Sequence, residues 1–310
     1  MIHGHNRRKR RSGKSLETKN NGIKKFALIT KIILILTILF FMLSALPAFI
    51  YWCFGADKER EITIETRAPI SANDIEEFNT TQIKPIVYVN LPKFTDMQLD
   101  IRKQKFIDLV LPSILIVKEQ HQEQINRIKT ILSKAYPTKS DQEFIRSLMS
   151  QYRATDIDEL IKRLSTHQTS IVLAQAALES GWGTSRFLRE ANNLFGIWSF
   201  NKNEPRIYGV TRKNGQAIYL RKYESLLQSI DNYFFIIATG KNFADFRNAR
   251  MNNDDPLYLA TLLIQYSEQR ETYVKKIQHV INSANLRQYD SYTIDTAYIK
   301  EKGESSDDIK

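Results

Sequence analysis

The chain has 310 residues, enough for one large domain or two small ones, and its 42% hydrophobic and 25% charged content suits a protein that folds around a core. A net charge of +11 invites a nucleic-acid partner, but ten of the 45 basic residues and only one of the 34 acidic ones fall within residues 1–31. The remainder is nearly neutral, so the charge describes a tail, and nucleic acid is set aside.

The basic tail, 1–31, is followed by an apolar run, 32–54, interrupted only by Thr37, Ser44 and Pro47. At about 1.5 Å rise per residue a helix of this length crosses a hydrocarbon core of roughly 30 Å. Tyr51 and Trp52 at its far end suit the membrane–water interface, and the cationic flank belongs in the cytoplasm. The expectation is a single-pass transmembrane helix with the rest of the chain outside. A cleaved signal peptide is the alternative, disfavoured by the length of the run and by the poor cleavage site at Leu46-Pro47-Ala48. The one cysteine, Cys53, lies inside this segment, so the exported part needs no disulfide. The five histidines are scattered without metal-ligand spacing, and neither a metal nor another cofactor is expected.

Residues 55–96 are polar and broken by Pro69, Pro85 and Pro92, which reads as a linker with one extended piece at Ile86–Val89. In 97–165 apolar residues recur at helical spacing from Leu99 to Leu132, with Pro112 expected to kink or divide the helix. Helices are predicted next over Gln142–Tyr152 and Ile157–Leu164, the second capped by Thr155.

Thr169 to Phe200 reads T-S-I-V-L-A-Q-A-A-L-E-S-G-W-G-T-S-R-F-L-R-E-A-N-N-L-F-G-I-W-S-F. Thr169 or Ser170 caps a helix with an apolar, Ala-rich interior, Glu179 comes near its end, and Gly181 terminates it. A carboxyl at a helix C-terminus faces the negative end of the dipole, and Trp182 beside it adds desolvation. Both raise the pKa, as a general acid requires. Further on, Ile207–Thr211 and Ala217–Tyr223 flank Lys213-Asn214-Gly215, a hairpin signal. Ser225 caps a helix that Gly240 ends, Asp255-Pro256 starts another, and a last helix from about Arg270 carries Tyr273 and Ile277 on one face. Residues 290–310 end in a charged, Gly- and Ser-containing run and are expected to be disordered.

A-L-E-S-G-W-G-T-S followed by A-N-N-L-F-G-I-W resembles the signature of the bacterial glucosaminidase family of peptidoglycan hydrolases (glycoside hydrolase family 73), and the preceding I-R-K-Q-K-F-I-D-L-V-L-P-S-I-L is similar to its Bax-like branch. The resemblance covers about Pro85 to Asn285. It implies a mainly α, lysozyme-like helical domain with a small β-hairpin lobe, here 166–289 behind a helical pre-catalytic region, 97–165. It further implies cleavage of the β-1,4 bond between N-acetylglucosamine and N-acetylmuramic acid, with Glu179 as the catalytic acid. Asn193, Phe195 and Gly196 fall on the family's cleft-shaping loop, and Tyr266 and Tyr273 on its C-terminal tyrosine element. Trp182, Trp198 and Tyr208 join them as candidate substrate contacts, since flat rings stack on sugar faces.

Glycosidases of this kind usually need a second carboxylate, and family members often place a Glu in the hairpin. This hairpin has none; Glu204 precedes it and Glu224 follows it, and both are candidates. Substrate-assisted attack by the acetamido group removes the need for either. The leading expectation is thus a glucosaminidase acting on peptidoglycan glycan strands, anchored in the bacterial cytoplasmic (inner) membrane and facing the periplasm or outside. A lytic transglycosylase of the same glycan, or a non-catalytic wall-binding scaffold, stands as the alternative.

Overall fold

The computed structural model describes residues 60–212 and 215–301, together with Lys31 and Thr37, both helical. By its contacts the chain divides into 1–58 and 59–310, and the fold below is that of the second unit. Among the described residues no helix is long and apolar enough to cross a membrane. The expected anchor, 32–54, lies outside them apart from Thr37.

The organising element is α1, Leu99–Ser133. Its stretch from Lys105 to Val117 is buried on every face, so it is a central helix with no solvent side. Pro112 does not divide the helix. Proline there removes one backbone hydrogen bond, and burial of the surrounding turns holds the helix together across it. Around α1 are α2 (Lys139–Tyr152), α3 (Ile157–Leu164), α4 (Thr169–Ser180), α5 (Arg186–Ala191) and α6 (Leu226–Thr239). The short α7 (Ala244–Ala249) and α8 (Pro256–Thr261) lead to α9 (Glu271–Ser283). Helix α4 packs against both α1 and α9, which fixes its C-terminal turn from two directions.

Two expected caps are displaced. Asp156, not Thr155, caps α3, its carboxylate accepting from the Glu159 amide at 2.7 Å. At α4 the preceding residue is Gln168, with no side-chain cap. Thr169 instead accepts from Lys118 Nζ at 2.9 Å, and Ser170 donates through N and Oγ to Asp290 at 2.7 and 2.8 Å. A carboxylate from another element thus serves the positive end of this helix. The Ser225 cap and the Asp255 cap with Pro256 at the first helical position are found where the sequence places them.

The linker reading of 55–96 is overturned for its described part. Strands β1 (Arg60–Ile62), β2 (Glu65–Arg67), β3 (Gln82–Ile83) and β4 (Ile86–Tyr88) strap this segment onto the core, and Ile75, Ile83, Ile86, Tyr88 and Phe94 are buried. Burial of that much apolar surface outweighs the prolines as punctuation. The disordered reading of 290–310 falls likewise for 290–301. There β8 (Thr293–Ile294) runs parallel to β3, and β9 (Ile299–Glu301) runs antiparallel to β1.

The predicted hairpin forms a small lobe: β5 (Trp198–Ser199), β6 (Arg206–Thr211) and β7 (Ala217–Arg221) in the order β5-β7-β6, all antiparallel. Its register shifts between Tyr208 and Val210, a bulge at Gly209. Gly215 takes φ +83°, as a tight hairpin turn demands. Lys213 and Asn214 lie outside the described residues.

Candidate active site

Helix α4 stops because Gly181 takes φ +59° and its amide bonds back to the Ala177 carbonyl. The left-handed path continues through Trp182 (φ +55°) and Gly183 (φ +87°). A bulky residue in this region carries strain of about 1–3 kcal/mol, so the surroundings must hold Trp182 in place. They do so through Phe106 of α1, edge-on to the indole with ring centroids 5.7 Å apart, and through Lys103, whose ammonium lies 5.8 Å from the ring. The sharp turn leaves Glu179 one residue short of the helix end and half-buried.

Burial raises the Glu179 pKa above the ordinary carboxylate value. Two effects oppose it: a hydrogen bond from Tyr273 and the positive charge of Lys276. Tyr273, buried on α9, donates from Oη to Glu179 Oε1 at 2.8 Å. Its own ionisation is strongly suppressed by burial and by the carboxylate, so it acts as a fixed neutral donor. Tyr266 lies parallel to Tyr273 with centroids 5.6 Å apart, and its buried hydroxyl has no hydrogen-bond partner among the described residues. Glu179, Tyr266 and Tyr273 therefore converge on one point, where a carboxyl group with a raised pKa is oriented by a tyrosine. That arrangement can hold a proton and deliver it.

Other expected contacts sit differently. Asn193 is buried and spends its side chain on the protein: Nδ2 donates to the carbonyls of Ile197 and Arg221, and Oδ1 accepts from the Ile197 amide. It ties the loop to the hairpin lobe and has no free face for a ligand. Phe195 is buried against Tyr233 of α6, stacked at 4.3 Å. Gly196 turns the loop at φ +66°, with open space where a Cβ would stand. Trp198 and Tyr208 are exposed on the hairpin lobe, Trp198 beneath the Arg212 guanidinium at 4.9 Å and Tyr208 bonded through its hydroxyl to Thr211.

Glu204 and Glu224 share a cavity of about 440 Å³ whose walls include Arg221, Tyr223, Asp231 and Asn232 and exclude Glu179 and Tyr273. Glu204 is 3.4 Å from Arg221 Nε, and Glu224 is exposed. Sequence reasoning passed over Gln175, Tyr233 and His167, which form a buried hydrogen-bonded chain behind Tyr273. One signal was available: Gln175 is the single amide in an apolar helix, four residues before Glu179 and on the same face.

Residues 154–286 match the family model described as mannosyl-glycoprotein endo-beta-N-acetylglucosaminidase, the glucosaminidase family. The chain is 25% identical over 189 residues to protein bax of Escherichia coli, covering 56% of this chain and 66% of that protein. It is 30% identical over 175 residues to an autolysin of Enterococcus faecalis, covering 50% of this chain and 22% of the autolysin. The match thus spans less than two thirds of either relative. Among solved structures, the catalytic domain of the autolysin Auto from Listeria monocytogenes aligns at 26% identity and a TM-score of 0.33, covering 53% of this chain and 96% of that domain. Glu179, Tyr266 and Tyr273 all lie inside the segment, residues 154–286, that matches the glucosaminidase family model.

Proposed function

We propose that the chain is a glycoside hydrolase that cleaves the β-1,4 bond between N-acetylglucosamine and N-acetylmuramic acid in peptidoglycan, with Glu179 as general acid. The observation that carries this reading is the half-buried Glu179 carboxyl, its pKa raised by burial, held by Tyr273 at 2.8 Å. The glucosaminidase match supports the substrate class. Stacking on Trp198 and Tyr208, exposed on the hairpin lobe, would hold the glycan. The same reading keeps the chain in the cytoplasmic membrane through the apolar run 32–54, with the folded domain outside. A reporter fused at Lys310 that is active only in the cytoplasm would overturn that topology and the wall substrate with it.

A second reading is favoured by one observation, the engagement of Glu204, a candidate second carboxylate, by Arg221 at 3.4 Å. A lone acid also serves a lytic transglycosylase. Digestion of purified cell wall by the full-length chain, followed by mass analysis, separates the readings. Free reducing ends on N-acetylglucosamine support the glucosaminidase, and anhydro-sugar ends support the transglycosylase. No soluble fragments at all, with the glycan still bound, would make the protein a wall-binding scaffold.

A further inference from the structure

Behind the Glu179–Tyr273 pair runs a buried chain of four hydrogen bonds. His167 Nε2 is 2.9 Å from Tyr233 Oη, Tyr233 Oη donates to Gln175 Oε1 at 2.6 Å, Gln175 Nε2 donates to Tyr273 Oη at 3.2 Å, and Tyr273 Oη donates to Glu179 Oε1 at 2.8 Å. His167, Gln175, Tyr233 and Tyr273 are all buried, so water does not compete for these groups.

Each link sets the direction of the next. Tyr233 has one hydroxyl proton and gives it to Gln175, so its contact with His167 must be an Nε2–H donating to it. That leaves His167 Nδ1 as a bare acceptor, and it has no partner among the described residues. Gln175, with its carbonyl engaged by Tyr233, must turn its amide nitrogen toward Tyr273. Tyr273 then receives from Gln175 and has its own proton free for Glu179. In the protonated acid, Oε1 is already accepting, so the acidic proton resides on Oε2, the oxygen that Tyr273 does not occupy.

We propose that His167, Tyr233 and Gln175 are positioning residues that lock Tyr273 as a donor to Glu179, keeping the acidic proton on Oε2 for delivery to the glycosidic oxygen. The proposal rests on Glu179 being the general acid. If the lock is released, the Gln175 amide can turn over and present its carbonyl to Tyr273. The Tyr273 proton then goes to Gln175, and Glu179 donates its own proton into Tyr273 Oη, away from substrate. The carboxylate form also loses its donor, which raises the apparent pKa of the acid further. The other groups facing Glu179, Lys276 and Tyr266, are unaltered by that turn.

Tyr233→Phe tests this with little change in volume, since the ring stacked on Phe195 is kept. In the full-length chain it should lower kcat about tenfold with KM unchanged, and move the alkaline limb of the pH–rate profile upward. Gln175→Glu, when ionised, places an acceptor where the amide donor to Tyr273 stood, and should do the same more strongly. The decisive measurement is the double variant. In a Tyr273→Phe background there is no donor left to lock, so Tyr233→Phe should change kcat by less than about twofold. A Tyr233→Phe effect that multiplies fully on top of Tyr273→Phe, or a silent Tyr233→Phe, would overturn the proposal even if Gln175→Glu failed to fold. Glu179→Gln is the control. If it is inactive and Tyr233→Phe is silent, only the positioning chain is refuted; if it cleaves normally, the acid assignment and the chain fall together.

Discussion

The Tyr273 hydroxyl donates to Glu179 across 2.8 Å while burial strips water from the same carboxyl, and the two act on its ionisation in opposite directions. Burial prevails and the pKa is raised, so the protonated form is favoured relative to an exposed carboxyl. Tyrosine contributes orientation at the cost of some of that shift.

The consequence for Glu179→Gln follows from the sign of the shift. A carboxyl whose folded pKa is raised destabilises the fold as pH climbs from the unfolded to the folded value, and the penalty is complete above it. The amide has no charge to desolvate and still accepts from Tyr273. Its melting temperature should match the wild type near pH 4 and equal or exceed it at pH 7 to 8. Wall-degrading activity should fall by at least ~100-fold, the size of a lost acid–base contribution. Parallel thermal melts and turbidity assays check both, and a variant that melts lower at neutral pH while cleaving normally would refute the role.

Gly183 gives a purely steric prediction. A Cβ there would stand 3.2 Å from the Phe94 ring and 3.3 Å from the Phe106 ring, at a φ of +87° that L residues avoid. Phe106 is also the ring that supports Trp182. Gly183→Ala should therefore cost roughly 1–3 kcal/mol in denaturant melts and lower activity through displacement of the indole. Unchanged stability would mean that the two phenylalanines yield freely.

These positions also show where the sequence was legible. The end of α4 was readable because Gly181 is a local signal, and so were the hairpin at Asn214-Gly215 and the caps at Ser225 and Asp255. The strap made by 60–96 and 293–301 was not. Its strands are two or three residues long and pair across more than 200 positions or in parallel, so they leave no period to find. Pro69, Pro85 and Pro92 then read as breaks, although Ile83, Ile86 and Tyr88 between them are core. At the site, Glu179 was singled out by the signature around it, A-L-E-S-G-W-G-T-S, more than by its own place before Gly181. Tyr233 and His167 were not, because an aromatic in an amphipathic helix and an isolated histidine look like ordinary core until the fold joins them to Gln175.

Asp108 predicts a pH dependence unrelated to catalysis. It is fully buried on α1, accepts from Gln104 at 2.9 Å, and leaves Oδ2 without a partner among the described residues. Burial pushes its pKa up to about 6. The unfolded chain ionises near the ordinary value, so this residue lowers stability as pH rises from about 4 to 6, by up to about 3 kcal/mol. Asp108→Asn should flatten the stability profile over that window, whatever it does to absolute stability through its unpaired amide. Calorimetry at a series of pH values measures it; a profile as steep as the wild type would place the titration elsewhere.

The last prediction concerns the second carboxylate. Glu204 is paired with Arg221 and Glu224 is exposed beside the Ser225 cap, in a cavity whose walls do not include Glu179. A carboxylate nucleophile or base stands about 5–5.5 Å from the acid's carboxyl in a retaining enzyme and 6.5–9.5 Å from it in an inverting one. With Glu204 engaged by Arg221 and Glu224 exposed, Glu204→Gln and Glu224→Gln should each retain activity within about threefold, against the ~100-fold loss for Glu179→Gln. Glu204→Gln should show its effect in stability, since Arg221 keeps its charge and loses its partner. That outcome, with reducing-end products, would assign the nucleophile to the substrate's own acetamido group; with anhydro ends it would assign it to the sugar's C6 hydroxyl. A loss in either glutamate variant comparable to that of Glu179→Gln would mean that the hairpin lobe swings that carboxylate into the site when glycan binds, and the single-acid account would be wrong.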